Sequence, residues 1–250
     1  MCIFNCLLFL TRVRGWVGSL SSTHHSFGTQ HNLRSSSLPP HLVIVNASSL
    51  PLPSPYKIKA LPFASVQIRE GAPPGRGQCH SLALSMVETA LVTFCHADTS
   101  LPICWDVRVR SSLRPGSGAA MHAFRFSMSH VEEVPWGWVV EVAVRVRCGL
   151  FRLPYGDQAL SFDTAGLRSN GGYPRQCVME DYALVDYYRR HCNVVVEENV
   201  KSVTDNRRWK AKGVREVARV NKEAVEVYGD EGPRGVWRRY YGGEFEGEEG

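Results

Sequence analysis

One stretch of the sequence decides the fold class: residues 78–99 read QCHSLALSMVETALVTFCHADT. In residues 78–90 the apolar side chains recur about every 3.6 positions, which predicts an amphipathic helix. Residues 91–95 form a continuous apolar run, the pattern of a strand that is covered on both faces. Because a polar loop, His96-Ala97-Asp98-Thr99, follows this strand directly, the stretch predicts one unit of an α/β domain.

The sequence before this stretch predicts two short strands and little else. Residues 42–45 are an apolar, β-branched run that ends in polar and small residues, and residues 66–69 are a second candidate. Residues 50–62 hold four prolines, which exclude a long helix there. Strand, helix and strand then follow one another as in a βαβ unit, so we expect a mixed sheet flanked by helices.

The sequence after this stretch predicts three helices and an apolar segment. Residues 139–146 are mostly apolar, and residues 163–170 suit a helix that ends at Gly171-Gly172. A second helix opens at Glu180-Asp181 and ends in a basic run, an order that suits the helix dipole. Residues 214–228 predict a third, more polar helix.

The bulk composition is that of an ordinary soluble globular chain. Its 250 residues suit one large α/β domain or two small ones. A formal net charge of +5 is too mild to predict a nucleic-acid partner. The apolar residues 2–10 are too short to cross a bilayer, so we expect no integral membrane segment. The eight cysteines include no CxxC pair, which indicates free thiols in a reducing compartment.

The first 40 residues lack a secondary-structure pattern, and no Asp or Glu precedes Glu70. Such an acid-free, Ser-rich and Arg-bearing segment resembles an organelle transit peptide, and translated non-coding sequence is the other interpretation. We therefore divide the chain into a disordered leader (residues 1–40), a domain (residues 41–241) and an acidic tail (residues 242–250). The expected location is the cytoplasm, or a plastid or mitochondrion where the leader is a transit peptide.

Asp98 is the first candidate for chemistry, because it follows a buried strand. Ligands of open α/β sheets bind beyond the carboxyl ends of the strands. There one carboxylate can hold Mg²⁺ or Mn²⁺ against a diphosphate, and the metal would stabilise a leaving nucleoside diphosphate. The alternative is that Asp98 only caps the following turn or helix.

Three later segments carry further polar candidates. Tyr155, Asp157 and Gln158 offer partners for sugar hydroxyls, or this loop only forms a turn. The pair Glu180-Asp181 can supply a general base, or it only stabilises the start of a helix. Residues 207–209, Arg-Arg-Trp, can bind phosphate through guanidinium groups, or they form a solvated charge run with one packed indole.

The order and spacing of these segments resemble the family 2 glycosyltransferases, and more narrowly a bacterial-type subgroup of them. The likeness extends over roughly residues 42–241. It implies a GT-A fold, a Rossmann-like α/β architecture, and inverting transfer of a sugar from a nucleotide-diphosphate donor to an acceptor. The segments that carry it are Ala72-Pro73-Pro74-Gly75-Arg76, residues 91–102, His122-Ala123-Phe124-Arg125-Phe126, Leu153-Pro154-Tyr155-Gly156-Asp157-Gln158, Gly171-Gly172-Tyr173-Pro174, Met179-Glu180-Asp181 and Arg207-Arg208-Trp209.

The resemblance also implies roles for single residues. Asp98 matches the acid that binds the metal, Mg²⁺ or Mn²⁺, and the diphosphate. Asp181, with Glu180 beside it, matches the acidic pair that supplies the catalytic base. The acceptor, which is a saccharide, a lipid or a small molecule, is expected near Asp157, Gln158 and Tyr155. The residues expected on the donor side are His96, Arg76, Asn46, Arg208 and Trp209.

The sequence departs from the family pattern on the side that binds the base of the donor. It lacks the opening strand that ends in Pro and an Asn-Glu pair, so we expect a sheet that is incomplete on its N-terminal side. Asn46-Ala47-Ser48-Ser49 stands where the family has Asp-Gly-Gly-Ser, so a carboxylate that contacts the base is replaced. Gln78 and Ser81 replace the subgroup's usual Arg and Asn, and Asp205 replaces the Gln of processive relatives.

These departures keep two other functions open. One is a non-catalytic remnant of a glycosyltransferase that acts as a binding module. The other is a nucleotidyltransferase, which also pairs a metal with a nucleotide on an α/β sheet. The absence of a Gly-rich, basic first loop argues against that second alternative.

Overall fold

The computed structural model describes residues 5–11, 41–46, 64–70, 75–96, 98–114, 116 and 118–243, with only the backbone of residues 5–11 and of Asn46. The strands are β1 (Asn5–Thr11), β2 (His41–Asn46), β3 (Ser65–Glu70), β4 (Leu91–Cys95), β5 (Thr99–Ser100), β6 (Met121–Met128), β7 (Leu160–Asp163) and β8 (Val194–Thr204). The helices are α1 (Arg76–Ser85), α2 (Trp105–Ser112), α3 (Gly137–Phe151), α4 (Thr164–Ser169), α5 (Glu180–His191), α6 (Arg207–Lys212) and α7 (Val214–Tyr241). Short 3₁₀ turns occur at Val131–Glu133 and Gly156–Gln158.

The strands form one mixed sheet in the order β3-β2-β1-β4-β7-β6-β8-β5. β2 and β3 are parallel, as are β6 and β8, and the other neighbouring pairs are antiparallel. From these pairings it follows that β2, β3, β4, β6 and β8 point the same way, while β1, β5 and β7 point the opposite way. The predicted α/β class, with a mixed sheet flanked by helices, is confirmed.

One edge of the sheet therefore collects the carboxyl ends of five strands. The loop with His96 and Asp98 leaves β4 at this edge, and residues 205–206 leave β8 there. The Gly156–Gln158 turn enters β7 from the same edge, because β7 runs against its neighbours. All five residues of β4 are buried, so the loop that follows is anchored to a strand in the interior.

β1 lies between β2 and β4, in a part of the chain where the sequence predicts no strand. It runs antiparallel to both neighbours, with Leu8 opposite Val43 on one side and Phe94 on the other. The interpretation of residues 1–40 as a leader without structure is therefore wrong for Asn5–Thr11. The remainder of that leader, and the acidic tail from residue 244 onward, lie outside the described residues.

The three helices that the sequence predicts in the second half are present as α4, α5 and α7, whereas α3 and α6 were not predicted as helices. α4 begins after Asp163, whose carboxylate accepts a hydrogen bond from the Gly166 amide at 2.6 Å, and the chain turns at Gly171-Gly172 with positive φ at both residues. α5 begins with the expected acids. α7 extends well beyond residue 228 and bends at Gly232, because Pro233 cannot continue a regular helix. The apolar residues 139–146 lie within α3.

The core lies on both faces of β4 and β7. Its largest buried side chains include Phe94, Phe162 and Tyr188, which meet edge to face, and burying each one stabilises the fold by about 1.5–3 kcal/mol. A smaller cluster beneath α3 contains Phe126 and Met128. Within the described residues, no helix combines the length and the apolarity that crossing a membrane requires.

Candidate active site

Three segments that are far apart in the sequence meet at Gly156, on the edge where the five strands end. The Gly156 amide donates a hydrogen bond of 2.9 Å to the Asp181 carboxylate at the start of α5. A Cβ at Gly156 would lie 2.7 Å from Nε2 of His96 and 3.1 Å from Oδ2 of Asp181. The absence of a side chain at Gly156 therefore lets the loop after β4, the turn before β7 and the start of α5 come into contact.

Asp181 is a buried carboxylate, and both of its oxygens accept hydrogen bonds from backbone amides. Oδ2 accepts from the Gly156 amide, and Oδ1 accepts from the Tyr182 amide at 2.9 Å. Burial opposes ionisation of this group, but Arg76, the Gly156 amide and His96 outweigh burial and lower the pKa of Asp181 below its usual value. Asp181 is therefore ionised at neutral pH and at the same time holds the Gly156–Gln158 turn in place.

Glu180 is fully buried and forms an ion pair with Arg76, with 2.9 Å between Oε1 and Nε. Burial, opposed by Arg76 and reinforced by Asp181, raises the pKa of Glu180 to about 7. Arg76 reaches this position because α1 packs closely on residues 174–176. A Cβ at Gly77 would lie 2.3 Å from the Pro174 carbonyl oxygen, so a larger residue does not fit there.

Asp157 lies beside Gly156, and its surroundings differ from those of Asp181. Its backbone carbonyl accepts hydrogen bonds from the hydroxyls of Ser202 at 3.2 Å and Thr204 at 3.3 Å, which anchor the turn to β8. Its Oδ1 is buried and has no hydrogen-bond partner among the described residues. Burial, opposed by Arg147 and reinforced by Asp181 and Asp98, raises the pKa of Asp157 to about 6. The site therefore holds two aspartates with different proton affinities.

Asp98 is the most exposed of these acids, with 38% of its side chain accessible. Nη2 of Arg207 lies 3.5 Å from its Oδ2, and Nε of the same arginine lies 2.8 Å from Oδ1 of Asp205. The Asp205 amide also donates to the Asp98 carbonyl at 3.0 Å. The loop after β4 and the residues after β8 are thus joined by backbone and charge contacts, and the Asp98 carboxylate remains open to solvent.

Gln158 and Tyr155 stand at the two ends of the turn and are joined by a hydrogen bond. The Gln158 side chain is fully buried; its amide donates to the Phe124 carbonyl at 2.8 Å, and its oxygen accepts from the Tyr155 amide at 3.2 Å. Arg147, on α3, stacks on the Tyr155 ring with 3.6 Å from Cζ to the centroid. It also donates to the Leu153 carbonyl at 2.8 Å, so α3 supports the whole turn.

Comparison with known proteins identifies the fold. No model of a known protein family matches the sequence, and no curated protein matches it either. Among solved structures, a mannosyltransferase of Pyrobaculum calidifontis in complex with GDP-Man and Mn²⁺ is similar with a TM-score of 0.58 and 13% identity, over 83% of this chain and 60% of that one. Residues 1–349 of Staphylococcus aureus TarS give a TM-score of 0.54 and 14% identity, over 86% of this chain and 68% of that one.

A third similar structure is glucosyl-3-phosphoglycerate synthase of Mycobacterium tuberculosis, in complex with Mn²⁺ and UDP-glucose. Its TM-score is 0.52 at 15% identity, over 78% of this chain and 73% of that one. The mannosyltransferase and the synthase are each in complex with a nucleotide sugar and Mn²⁺. This chain has the GT-A fold. It spans 60% of the length of the mannosyltransferase, so the activity and substrates of that enzyme do not transfer with the fold.

Within this GT-A fold, the predicted site residues do not all meet in one place. Asp98, His96, Arg76, Asp157, Glu180 and Asp181 are brought together around Gly156. Arg208 instead bonds to Asn221 of α7 at 2.9 Å, and Trp209 packs in the apolar cluster beneath α3. Asn46 ends β2 on the same edge of the sheet, opposite Glu70 of β3.

Sequence reasoning missed Arg147 and did not distinguish Arg207 from Arg208 at the site of this GT-A fold. Arg207, rather than Arg208, reaches Asp98, and Arg147 supports Tyr155 and Gln158. The Arg-Arg-Trp run includes Arg207, but the sequence does not show which of the two arginines faces Asp98. Arg147 lies five residues before Arg152 in an apolar helix, a position that gives no signal of its own.

The acids of the GT-A edge fit a divalent cation only if a ligand helps to hold it. Among the described residues, no three His, Cys, Asp or Glu side chains form a group that could bind a metal alone. Asp98 offers an accessible carboxylate, and Mg²⁺ or Mn²⁺ is commonly bound by one or two carboxylates together with phosphate oxygens. The residues present therefore suit a cation that Asp98 shares with a diphosphate.

Proposed function

We propose that this chain is a glycosyltransferase that moves a sugar from a nucleoside-diphosphate donor to a hydroxyl acceptor with inversion. The observation that carries the proposal is the meeting of Asp98, Asp157 and Asp181 around Gly156, at the edge of a GT-A sheet. The acids differ in exposure and in proton affinity, which suits them to different tasks. The acceptor class, which is a saccharide, a lipid or a small molecule, stays open here.

In the proposed reaction the acceptor oxygen forms a bond to the anomeric carbon while the bond from that carbon to the diphosphate oxygen breaks. The hydroxyl proton passes to a carboxylate, and the nucleoside diphosphate leaves. We assign the base to Asp181, because its lowered pKa keeps it ionised and its two backbone hydrogen bonds fix its position. Glu180 would hold Arg76 and assist by charge.

Asp157 is the second candidate for the base. Its Oδ1 is buried without a partner among the described residues, and its pKa of about 6 is nearer to neutral pH. A base with a pKa close to the working pH accepts a proton more effectively. In our first assignment Asp157 instead orients the acceptor hydroxyl, together with Tyr155.

Asp98 is proposed to hold the diphosphate through Mg²⁺ or Mn²⁺, which would offset the charge that develops on the leaving group. His96 and Arg76 would lie on the donor side, since both interact electrostatically with the acids around Gly156. Arg207 already pairs with Asp98 and Asp205, so a bound diphosphate would offer the same guanidinium a third anionic partner.

The test is a calorimetric titration of UDP and GDP with and without Mn²⁺, followed by an assay of sugar transfer. We expect Mn²⁺ to strengthen binding, and Asp98→Ala to abolish that enhancement. Asp205→Ala is the matched control, because it removes the other acid that pairs with Arg207 and should keep the enhancement. Equal enhancement by Mn²⁺ in the Asp98 variant and the wild type would reject the assignment.

The same titration separates the two alternatives. A binding module would take up a nucleotide diphosphate and release no product from any donor. A nucleotidyltransferase would instead consume a nucleoside triphosphate and release pyrophosphate. The fold favours sugar transfer over nucleotidyl transfer. The transfer assay decides between an enzyme and a binding module.

A further inference from the structure

α7 is a helical hairpin, because its two parts fold back on each other. We call these parts the first arm and the second arm, residues 214–231 and 233–241. Nε of Arg239 lies 2.8 Å from Oε1 of Glu223. The Tyr240 hydroxyl donates a hydrogen bond to the Val220 carbonyl at 3.0 Å. Since these contacts join residues that are 16 and 20 positions apart, the second arm runs antiparallel along the first.

Two glycines make the reversal between the arms possible. Gly232 has φ 70° and ψ −169°, a conformation that is essentially restricted to glycine. A Cβ at Gly235 would lie 2.3 Å from the Cβ of Glu231, an atom that is fixed to the backbone and cannot swing aside. The close approach of the two arms therefore depends on the absence of a side chain at Gly235.

Both arms of the hairpin contact the segment that leads into the acids of the site. The hydroxyl of Tyr228, in the first arm, donates to Oε1 of Gln176 at 3.1 Å. The Cys177 thiol donates to the carbonyl of Pro233, in the second arm, at 3.5 Å. Apolar side chains of both arms and of this segment pack in one cluster, which includes Val178, Met179, Ala224, Val227, Val236 and Trp237.

Met179, the last residue before the acids, has a backbone conformation that needs support. Its φ of 61° and ψ of 20° lie in the left-handed region, which costs free energy for a residue with a side chain. Such a conformation persists only where the surrounding structure determines it. The Met179 carbonyl accepts from the Ala183 amide at 2.9 Å, so α5 starts from this residue. The direction in which Glu180 and Asp181 leave the chain therefore depends on what holds Met179.

The end of the second arm lies near the same acids. Burial opposes the charge of Arg76, but Glu180, Asp181 and then Tyr241 outweigh burial and raise the pKa of Arg76 above its usual value. Tyr241 also packs on Trp237, with 4.5 Å between the ring centroids. The second arm thus extends from the segment before the acids towards the arginine that pairs with Glu180.

We propose that the second arm of α7 is a positioning element of the candidate active site. By packing on residues 176–179 it holds Met179 in the left-handed conformation, and through Met179 it fixes the places of Glu180 and Asp181. Residues of the arm such as Val236 act through this segment and not on a substrate. The catalytic consequence rests on the proposed function, whereas the positioning itself does not.

The test is Gly235→Ala in the full chain, with Gly229→Ala as the matched control. The Cβ added in Gly235→Ala must displace the backbone at Glu231, which moves the arms apart. Nothing lies within 4 Å of a Cβ added at Gly229, in the same helix, so that variant should leave the hairpin intact. Circular dichroism checks that both variants are folded, since the sheet and its core do not depend on the hairpin turn.

The first readout is the titration of the Glu180 carboxyl by carbon-13 NMR, which needs no enzymatic activity. Burial, opposed by Arg76 and reinforced by Asp181, raises the pKa of Glu180 to about 7, and Cys79 of α1 also faces this carboxyl. The Glu180 signal is identified by its loss in Glu180→Gln. When Met179 is released, water reaches Glu180, so its pKa should fall towards the ordinary value of about 4.3.

We expect this fall in the pKa of Glu180 to be roughly 1 or more in Gly235→Ala and absent in Gly229→Ala. An unchanged titration in folded Gly235→Ala would overturn the proposal, and so would an equal fall in the control. Should Gly235→Ala not fold, Val236→Ala replaces it, with the same substitution at the fully buried Val109 of α2 as its control.

The second readout is sugar transfer. Because a displacement of about 1 Å in a catalytic group can cost roughly 10² in rate, we expect kcat of Gly235→Ala to fall by about 10–10², with KM for the donor nearly unchanged. Gly229→Ala should keep both constants. If the wild type transfers no sugar, the proposed function fails, while the titration of Glu180 still decides whether the second arm positions the acids.

Discussion

The two halves of the sheet differ in how many of the predicted site residues they hold in place. In the half formed by β4 to β8, Asp157 and Asp181 are held by hydrogen bonds of 2.9–3.3 Å. In the half formed by β1 to β3, Asn46 is the one predicted site residue, and the segments after β2 and β3 lie outside the described residues. The acids that we propose for diphosphate binding and proton transfer therefore all lie beside strands of the half formed by β4 to β8.

The largest effect should come from the acidic half. Asp181→Asn keeps the size of the side chain and one oxygen that can accept the Gly156 amide, but it removes basicity. We expect turnover to fall by roughly 10²–10⁴, with nucleotide binding nearly unchanged. Glu180→Gln should lower the melting temperature more than the turnover, because it leaves Arg76 without its buried partner. Turnover of Asp181→Asn close to that of the wild type would remove Asp181 from this role.

The pH dependence of kcat/KM distinguishes Asp181 from Asp157. A catalytic base must be deprotonated, so activity falls as the pH drops through its pKa. If Asp181 is the base, the acidic limb lies below the ordinary pKa of an aspartate, about 3.9, because the pKa of Asp181 is lowered. A limb near the pKa of Asp157, about 6, that disappears in Asp157→Asn would transfer the role to that residue.

The next effect tests whether β1 belongs to the sheet. Leu8 lies opposite Val43 and Phe94, so its backbone is paired on both sides. Proline there removes a hydrogen bond from a central strand, and we expect the free energy of unfolding to fall by about 3 kcal/mol. Ser36→Pro, in the leader outside the described residues, is the comparison and should be neutral. Equal melting temperatures for the two variants would restore the interpretation of residues 1–11 as a dispensable leader.

Gly156→Ala tests the contact on which the acidic half depends. The new Cβ would lie 2.7 Å from the His96 ring and 3.1 Å from the Asp181 carboxylate, so one of them must shift. A displacement of about 1 Å in a catalytic group can cost roughly 10² in rate. Gly149→Ala is the matched control, because nothing lies within 4 Å of its added Cβ, and it should keep full turnover. Similar turnover of both variants would show that this close contact is not needed.

Much of the acidic half could be predicted from the sequence, because its signals are local. The apolar run of β4 and the polar loop after it predict a ligand site at the edge of a sheet. The acids at the start of α5 predict both a helix and charged candidates. These segments meet at Gly156, where a side chain would collide with His96 and Asp181. The sequence does not show this requirement, because His96 lies 60 positions upstream and Asp181 lies 25 positions downstream.

β1 could not be predicted, for a related physical reason. Residues 5–11, NCLLFLT, are apolar without alternation, as a strand covered on both faces is, but such a run is also typical of a targeting segment. Its pairing with β2 and β4 is a long-range property of the backbone. Likewise, Arg207 contacts Asp98 and Arg208 contacts Asn221, because the two side chains leave the start of α6 in different directions.

The smallest effect should come from the half formed by β1 to β3, where the base of the nucleotide is proposed to bind. Asn46 ends β2 on the ligand edge, where the resemblance to family 2 implies an Asp that contacts the base. Asn46→Asp restores a carboxylate, and a hydrogen bond to a charged acceptor is stronger than one to an amide by roughly 1 kcal/mol, about fivefold in affinity. Glu70 lies opposite Asn46 in β3, but it is exposed, so solvent limits the repulsion between the two acids. We expect calorimetry to give UDP a several-fold higher affinity for Asn46→Asp than for the wild type, with the Mn²⁺ enhancement unchanged, because Asp98 lies in the other half. If Asn46→Asp also alters the Mn²⁺ enhancement, the two halves of the sheet are coupled, and the proposed separation of their roles is wrong.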